Sequence, residues 1–194
     1  MFWKGEKMTF EEIKTPEQLM KYLDQNFKYG VIDKKGNKYY NSNTDEFQRI
    51  CETQWELRSI EEMLKDGVGH CYDQVEIERE WFSKNGYNVK TFWISAYQDE
   101  IQNSGFCHTY LIYQDKDIWK IFEHSDFSNK GIFTFKSISD AVKWQAKHQI
   151  NFAESCIKPL KEYVTCIKEY NKPPTHVNMQ EYLQFIDKSK DYVI

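Results

Sequence analysis

The sequence predicts an α+β fold, in which several helices precede a helix that packs on an antiparallel sheet. Three observations lead to this prediction. Helix start and stop signals fill most of the first 70 residues, an amphipathic helix follows over residues 71–84, and residues 88–135 are rich in the β-branched and aromatic side chains that strands favour. Strands that are segregated from helices, instead of alternating with them, are typical of the α+β class.

The first helix has a clear beginning. Thr15 is an N-cap residue, and Pro16 occupies the first helical position, where the missing N–H of proline costs nothing. Leu19 and Leu23 then place apolar side chains on one stripe, as a helix that packs on a core requires. Gly30 is predicted to end this helix.

Shorter elements follow. A small strand pair is predicted over residues 31–40, with its turn around Gly36. A short helix is predicted over residues 44–51. The next helix begins with a capping box at Ser59 and closes at Gly67, because glycine readily adopts the left-handed conformation that ends a helix.

The most informative stretch is Gly67-Val68-Gly69-His70-Cys71-Tyr72-Asp73-Gln74, which places a cysteine at the first residue of the helix over 71–84. Helix N-termini carry a partial positive charge and unpaired N–H groups. A thiol at such a terminus ionises more easily, and the thiolate is its nucleophilic form. The charges between Glu76 and Glu80 are predicted to form the solvated side of this helix.

The remaining elements are predicted from apolar runs and turn residues. In order, they are a strand over 88–94, a polar loop over 95–105, a hairpin of strands over 106–113 and 118–123, a strand over 131–135, a helix from 137 or 139 to about 149, a strand within 157–170 and a short helix capped at 178. Pro173-Pro174 makes a rigid break, but the 20 residues after it are too few for an independent domain. One domain is therefore predicted over residues 1–194, with a core at about 55–135, a helical N-terminal part over 1–54 and a C-terminal extension over 136–194.

His108 and Glu123 lie on the two strands of the predicted hairpin. Opposed residues in an antiparallel pair have a constant sum of numbers, and a loop over 114–117 or over 115–116 gives 231, which is also the sum of 108 and 123. Directly opposed Cβ atoms lie about 4.5–5.5 Å apart and point to the same face of the sheet. A carboxylate beside an imidazole fixes its tautomer and stabilises the imidazolium.

The position of the central helix decides whether the cysteine reaches this pair. On the predicted face, His108 is joined by Tyr110 and Ile112. A helix that covers this face can bring the thiol of Cys71 to the imidazole from its N-terminus. Cysteine, then histidine, then carboxylate is the chain order of a thiol acyl-transfer site.

Each of these residues also has a simpler explanation when it is taken alone. Cys71 could be a buried structural thiol, His108 a hydrogen-bonded strand histidine and Glu123 a carboxylate at a strand end. Their order and shared parity favour the catalytic interpretation. Zinc is a weaker alternative, because no Cys-x-x-Cys or His-x-x-x-His spacing occurs among the candidate ligands His70, Cys71, Cys107, His108 and His124. No metal and no cofactor is predicted.

Composition and charge argue against several classes of protein. The net charge of −4 and the absence of a Lys/Arg block give no case for nucleic-acid binding. No stretch approaches the roughly 20 apolar residues of a membrane span, and the first residues lack the apolar region of a secretory signal. Five cysteines at irregular spacing do not form a disulfide framework, so reduced thiols and a cytoplasmic location are predicted.

At these residues the chain resembles the transglutaminase-like superfamily of papain-like cysteine enzymes, including members from Gram-positive bacteria and their phages. The superfamily pattern is a glycine-containing turn, a cysteine that opens a helix, a strand histidine and an aspartate at the end of the next strand. The matching stretches here are 67–73, 107–112 and 118–123, together with the upstream Trp55-Glu56-Leu57-Arg58-Ser59. The resemblance covers about residues 55–135, and the 37-residue gap from Cys71 to His108 suits this superfamily.

The resemblance implies a role for each residue. Cys71 corresponds to the nucleophile, His108 to the general base and acid, and Glu123 to the orienting carboxylate. Glu123 departs from the usual aspartate, which leaves Asp126 as the alternative carboxylate. Members of the superfamily stabilise the oxyanion with the backbone N–H of the cysteine and with an upstream side chain. The candidates for that side chain here are Gln54 and Trp55.

The function expected from the residues and the resemblance is that of a thiol-dependent hydrolase or acyltransferase. Its substrate would be a peptide or another molecule with an amide or ester bond, which is attacked through an acyl-enzyme intermediate. Hydrolysis is favoured over cross-linking, because the superfamily outside animals consists mainly of proteases and hydrolases. The alternative is a non-catalytic binding module that retains the transglutaminase-like fold. Oligomeric state and substrate identity are not predicted.

Overall fold

The structure, a computed structural model, describes residues 8–40, 42–98, 106–156 and 162–194. Its elements in chain order are a 3-10 turn Phe10–Glu12, α1 Pro16–Asn26, β1 Lys28–Tyr29, β2 Val31–Ile32, β3 Lys38–Tyr39, α2 Asp45–Thr53, α3 Ile60–Asp66, β4 Val68–Gly69, α4 Cys71–Lys84, β5 Asn88–Tyr97, β6 Phe106–Asp115, β7 Ile118–Glu123, β8 Gly131–Phe135, α5 Ile138–Cys156, β9 Val164–Tyr170, α6 Met179–Asp187 and β10 Lys190–Asp191. None of the helices in these ranges is long and apolar enough to cross a membrane.

A six-stranded sheet forms the centre of the fold, in the order β10-β9-β5-β6-β7-β8. Every neighbouring pair in this sheet is antiparallel. Two small sheets lie outside it, because β1 pairs with β4 in parallel and β2 pairs with β3 antiparallel. Helices combined with a separate antiparallel sheet confirm the α+β prediction.

The two faces of the central sheet are covered by different helices. One face packs its buried side chains Leu111, Tyr113 and Phe122 against the buried face of α4. The other face packs Tyr110, Ile112 and Ile121 against buried alanine and valine side chains of α5. The helix that begins at Cys71 therefore covers the face opposite to the one that would have placed its N-terminus directly over His108.

Local capping explains where the helices begin. The Thr15 side chain accepts a hydrogen bond from the backbone N–H of Gln18 at 3.3 Å, so α1 begins as predicted. The capping box of α3 is formed at Ser59, and Gly67 ends this helix with a φ of 62°. Ser137, one of the two residues considered for the start of α5, accepts from the backbone N–H of Asp140 at 3.1 Å.

Helix ends are predicted less well. The first helix stops at Asn26, not at Gly30, because β1 follows it directly. Gly30 serves a different purpose, since a Cβ atom at this position would lie 2.7 Å from the backbone oxygen of Tyr39. Helix α5 continues to Cys156, beyond the predicted end near residue 149.

The predicted strands form, but some of them end at other residues than predicted. The small pair β2–β3 and the strands β6, β7 and β8 form where they were predicted. Strand β5 continues to Tyr97 and so takes up the start of the predicted polar loop, whose residues 99–105 lie outside the described part of the chain. Strand β9 lies within the predicted range of 157–170, of which residues 157–161 are also outside the described part.

Candidate active site

A tightly bonded turn places Cys71 at the first residue of α4. Gly69 leaves no room for a side chain, because a Cβ atom there would lie 2.5 Å from the Cβ of Asp73. The Asp73 carboxylate accepts the backbone N–H of His70 at 3.1 Å, which closes the capping arrangement at the helix start. The side-chain N–H of Gln74 donates to the backbone oxygen of Gly69 at 2.9 Å. These contacts fix the thiol at the positive end of the helix macrodipole.

His108 and Glu123 form a hydrogen-bonded pair, although the hairpin register differs from the predicted one. Leu111 lies opposite Phe122, so opposed residues sum to 233 and the loop is shifted by one residue from the predicted 115–116. His108 and Glu123 are therefore diagonal neighbours on one face and not directly opposed. The longer glutamate side chain spans the diagonal, and His108 Nε2 lies 2.7 Å from Glu123 Oε2.

The Cys71 thiol approaches the His108 imidazole at a level of the sheet that β7 does not reach. β7 ends at Glu123 and pairs with β6 only from Leu111 to Asp115, so His108 has no β7 residue opposite it. The side chain of Cys71 lies close enough to His108 at this level of the sheet to raise the pKa of the imidazole. The structure thus places all three predicted residues near one another.

The charge on His108 is set by its two partners. Burial alone would lower the pKa of this imidazole, but the charge and hydrogen bond of Glu123, together with those of Cys71, raise the pKa well above its ordinary value. The two partners of His108 therefore favour its imidazolium form. An imidazolium beside a cysteine at a helix N-terminus is the environment that favours a thiolate.

The carboxylate of Glu123 is held by the backbone that follows β7. Its second oxygen, Oε1, accepts from the backbone N–H of Ser125 at 3.0 Å and from that of Asp126 at 2.9 Å. Asp126 itself pairs with His148 at 2.9 Å and does not contact His108. Glu123 therefore orients the imidazole in this structure, and Asp126 supports it through its main chain.

Tyr29 is a site residue that the sequence interpretation missed. The parallel pair of β1 and β4 sets Tyr29 beside Gly69, two residues before the cysteine. The Tyr29 side chain lies beside Cys71, and burial, together with the charge of that thiol, raises the pKa of Tyr29 well above its ordinary value. The phenol therefore stays protonated and remains a hydrogen-bond donor next to the nucleophile.

The two expected oxyanion side chains lie elsewhere. Trp55 uses its Nε1–H to donate to Asp73 at 3.1 Å, so it braces the turn before the cysteine. Gln54 lines a separate cavity together with Ile32 and Arg58. Nothing in the sequence marked Tyr29, which lies 42 residues before Cys71, because a two-residue parallel strand pair has no sequence signature.

The carboxylates predicted on the solvated side of α4 are mostly buried. Glu76 and Glu78 are each 3% exposed. Burial raises the pKa of Glu76 to about 7, opposed by the ion pair that Glu76 forms with Arg79 at 3.0 Å. Burial also raises the pKa of Glu78 well above its ordinary value, and the nearby charge of Glu123 raises it further. The surroundings of Glu78 therefore favour its neutral form.

No metal centre emerges from the candidate zinc ligands. Within the described ranges, no group of three or more His, Cys, Asp or Glu side chains is arranged to hold a metal ion.

Comparison of the chain with protein-family models and with curated protein sequences gives no match. The chemistry of the site is therefore argued from its own geometry.

Proposed function

We propose that this protein is a thiol-dependent hydrolase or acyltransferase with a transglutaminase-like fold, acting on an amide or ester bond. The observation that carries the proposal is the convergence of three side chains from separate elements. Cys71 at a helix N-terminus lies close enough to His108 to raise its pKa, and His108 Nε2 lies 2.7 Å from Glu123 Oε2. A nucleophile, a base within hydrogen-bond reach and a third group that orients the base form the arrangement that activates a thiol.

The proposed reaction begins with attack of the Cys71 thiolate on the substrate carbonyl carbon. The resulting oxyanion is stabilised by the Cys71 backbone N–H, and the neighbouring Tyr29 hydroxyl is a second donor for it. The bond from the carbonyl carbon to the leaving amine or alcohol then breaks, and the leaving group takes the proton of His108. The product of this half-reaction is a thioester on Cys71.

The second half-reaction reverses the proton transfer. His108 removes a proton from an acceptor, and the acceptor attacks the thioester carbonyl and releases the thiolate. Water as the acceptor gives hydrolysis, which we favour, and a primary amine gives acyl transfer. Product masses measured with and without an added primary amine distinguish the two, because only acyl transfer adds the amine to the product.

Thiol reactivity tests the proposal without knowledge of the substrate. At pH 6, iodoacetamide should modify Cys71 at least about tenfold faster than the exposed Cys156, because an activated thiol has a pKa of about 3.5–7.5 and an ordinary one about 8.5. Burial raises the pKa of Cys51, so this thiol should react slowest. Peptide mass spectrometry after timed labelling gives the three rates.

A matched variant isolates the contribution of the imidazole. His108→Gln keeps a polar side chain on β6 but removes the charge, and it should reduce the Cys71 rate to that of Cys156. Circular dichroism spectra that match the parent protein would show that the fold is retained. Equal and slow labelling of Cys71 and Cys156 in the parent protein would contradict the enzyme proposal and favour a binding module.

A further inference from the structure

A cleft with exposed aromatic rings opens near the first turn of α4, which begins at the proposed nucleophile. It has a volume of about 500 Å³ and is lined by Lys28, Tyr29, Tyr40, Gln74, His124 and Phe127, together with other side chains, and we call it the aromatic cleft. Tyr29, one of the lining residues, pairs with Gly69 two residues before Cys71 and lies beside the thiol. Gln74 lies on α4 three residues after Cys71, and its side-chain oxygen is 2.5 Å from Nδ1 of His124, the residue that follows Glu123.

The aromatic rings of the cleft are unusually exposed. Phe127 is 74% exposed and Tyr40 is 49% exposed. In the described part of the chain only one other aromatic side chain, Phe152, is comparably exposed, so two of these three rings border the same cleft. Phe127 packs edge-on against Tyr29 with 5.5 Å between ring centroids. A group of exposed rings at the mouth of a cleft is typical of a binding surface.

Positive charge accompanies the rings. The Lys28 ammonium lies 5.6 Å from the centre of the Tyr40 ring, and among the described residues no carboxylate pairs with it. Lys130 and Asp24, which also line the cleft, form an ion pair with each other. Lys28 therefore carries the uncompensated charge of the cleft, and it is placed to meet an anionic group next to a ring that stacks on Tyr40.

We infer that the aromatic cleft is the substrate-binding subsite of this enzyme and that it takes a peptide with an aromatic side chain followed by a carboxylate, next to the bond that Cys71 attacks. The inference rests on the proposed function and extends it to a substrate class. Ring-to-ring contacts with Tyr40 and Phe127 would bind the aromatic side chain. Lys28 would bind the carboxylate of an acidic residue or of a peptide C-terminus.

Alkylating probes test the subsite without requiring turnover. N-iodoacetyl-phenylalanine, N-iodoacetyl-phenylalanine amide and N-iodoacetyl-glycine carry the same reactive carbon, and their rates with glutathione correct for differences in intrinsic reactivity. After this correction, N-iodoacetyl-phenylalanine should modify Cys71 about tenfold faster than N-iodoacetyl-glycine. The amide should be about threefold slower than the free acid, and added salt should remove this difference.

Three variants assign the effect to the cleft. Phe127→Ala and Tyr40→Ala should each remove most of the preference for phenylalanine, and Lys28→Gln should remove only the preference for the free acid. Phe152→Ala is the matched control, because Phe152 is exposed but lies outside the cleft, and it should change neither ratio. Iodoacetamide, which has no ring and no charge, should react equally with all four variants.

The outcomes separate this inference from the proposed function. Corrected rates that are equal for the phenylalanine and glycine probes, or a preference that survives Phe127→Ala and Tyr40→Ala, would overturn the subsite. Slow reaction of Cys71 with iodoacetamide itself would contradict the proposed thiol activation. In that case the ratio between probes would still report whether the cleft binds an aromatic ring.

Discussion

Two buried imidazoles lie near Cys71, and their pKa values are shifted in opposite directions. His70 precedes the cysteine in sequence, and its Nδ1 accepts the backbone N–H of Tyr72 at 3.2 Å. Burial lowers the pKa of His70, although the charge of Asp73 opposes the effect. His108 comes from a distant strand, and the Glu123 carboxylate and the Cys71 thiol raise its pKa despite its burial.

The comparison teaches that the partner of a buried imidazole decides its charge. An N–H aimed at a ring nitrogen requires a free lone pair there, so it favours the neutral ring of His70. A carboxylate at 2.7 Å favours the imidazolium of His108. The Asp73 carboxylate, whose Oδ2 lies 3.2 Å from His70 Nδ1, also raises the pKa of His70, but it does not outweigh the effect of burial there. The sequence neighbour of the cysteine is therefore a structural residue.

The largest expected effect comes from making His108 resemble His70. Glu123→Gln keeps the size of the side chain but removes the charge that raises the pKa of His108, so the imidazolium and the thiolate should both be lost at neutral pH. We expect a decrease of about 10²–10⁴-fold in turnover, the range typical of a lost acid–base group. In alkylation, the pH midpoint of Cys71 should move toward the ordinary value of about 8.5.

A neighbouring carboxylate provides the control for this variant. Asp126→Asn removes a charge three residues away that pairs with His148 and not with His108. Its alkylation profile should match that of the parent protein. A larger loss in Asp126→Asn than in Glu123→Gln would show that the carboxylates exchange roles in solution.

The next largest effect concerns stability and His70. His70→Ala removes the side-chain cap of α4 and the packing of the ring against Trp55, whose centroid lies 4.9 Å away. We expect the free energy of unfolding to fall by about 2 kcal/mol, measured by urea denaturation. His70→Asn restores a good cap and should recover about half of the loss.

The pH profile of alkylation distinguishes the roles of the two histidines. If His70 only supports the helix start, the pH midpoint of Cys71 should be unchanged in His70→Asn. A midpoint that shifts as far as it does in Glu123→Gln would assign His70 to the acid–base chemistry and would remove the distinction between the two imidazoles.

A smaller effect is expected when the carboxylate is shortened. Glu123→Asp keeps the charge but removes one methylene, and a diagonal neighbour needs the longer side chain to reach His108. Turnover or Cys71 alkylation at pH 6 should decrease by about tenfold, between the parent protein and Glu123→Gln. Full activity would show that the hairpin shifts to the directly opposed register in solution.

The sequence alone predicted the residues of the site better than their geometry. Periodicity and capping signals identified the helix that begins at Cys71, and strand parity placed His108 and Glu123 on one face. The predicted hairpin register was wrong, because the numbers of opposed residues add up to 233 and not to 231. A loop over 116–117 and a loop over 115–116 fit the same turn residues. Parity survived this error because both sums are odd.

Local sequence patterns could not predict the contacts between segments that are distant in the chain. The helical pattern of α4 allowed either face of the sheet to be covered, and the identity of the covering helix depends on the whole packing. Burial of Glu76 and Glu78 was missed because charged residues on a helix are usually solvated, whereas here the helix is buried around most of its circumference. Tyr29 was missed because its approach depends on a two-residue strand pair.

The smallest predicted effect is on the pH dependence of stability. His108 has a folded-state pKa above the unfolded value of about 6.5, so its contribution is fully present below pH 6.5 and is lost as the pH rises through the folded-state pKa. His70 has the opposite shift, so its contribution is lost as the pH falls below 6.5. Between pH 6.5 and 8, we expect the free energy of unfolding of Glu123→Gln to fall less steeply with pH than that of the parent protein.

Denaturation in urea at a series of pH values measures this difference in slope. Repeating the measurement in a His108→Gln background shows how much of the difference comes from His108. The charge of Glu123 also raises the pKa of the buried Glu78, which contributes a slope of the same sign. In a His108→Gln background the imidazole is absent, so Glu123→Gln should change the slope there only through Glu78. An equal change in both backgrounds would mean that His108 takes up no extra proton on folding, and the two imidazoles beside Cys71 would then be alike in charge.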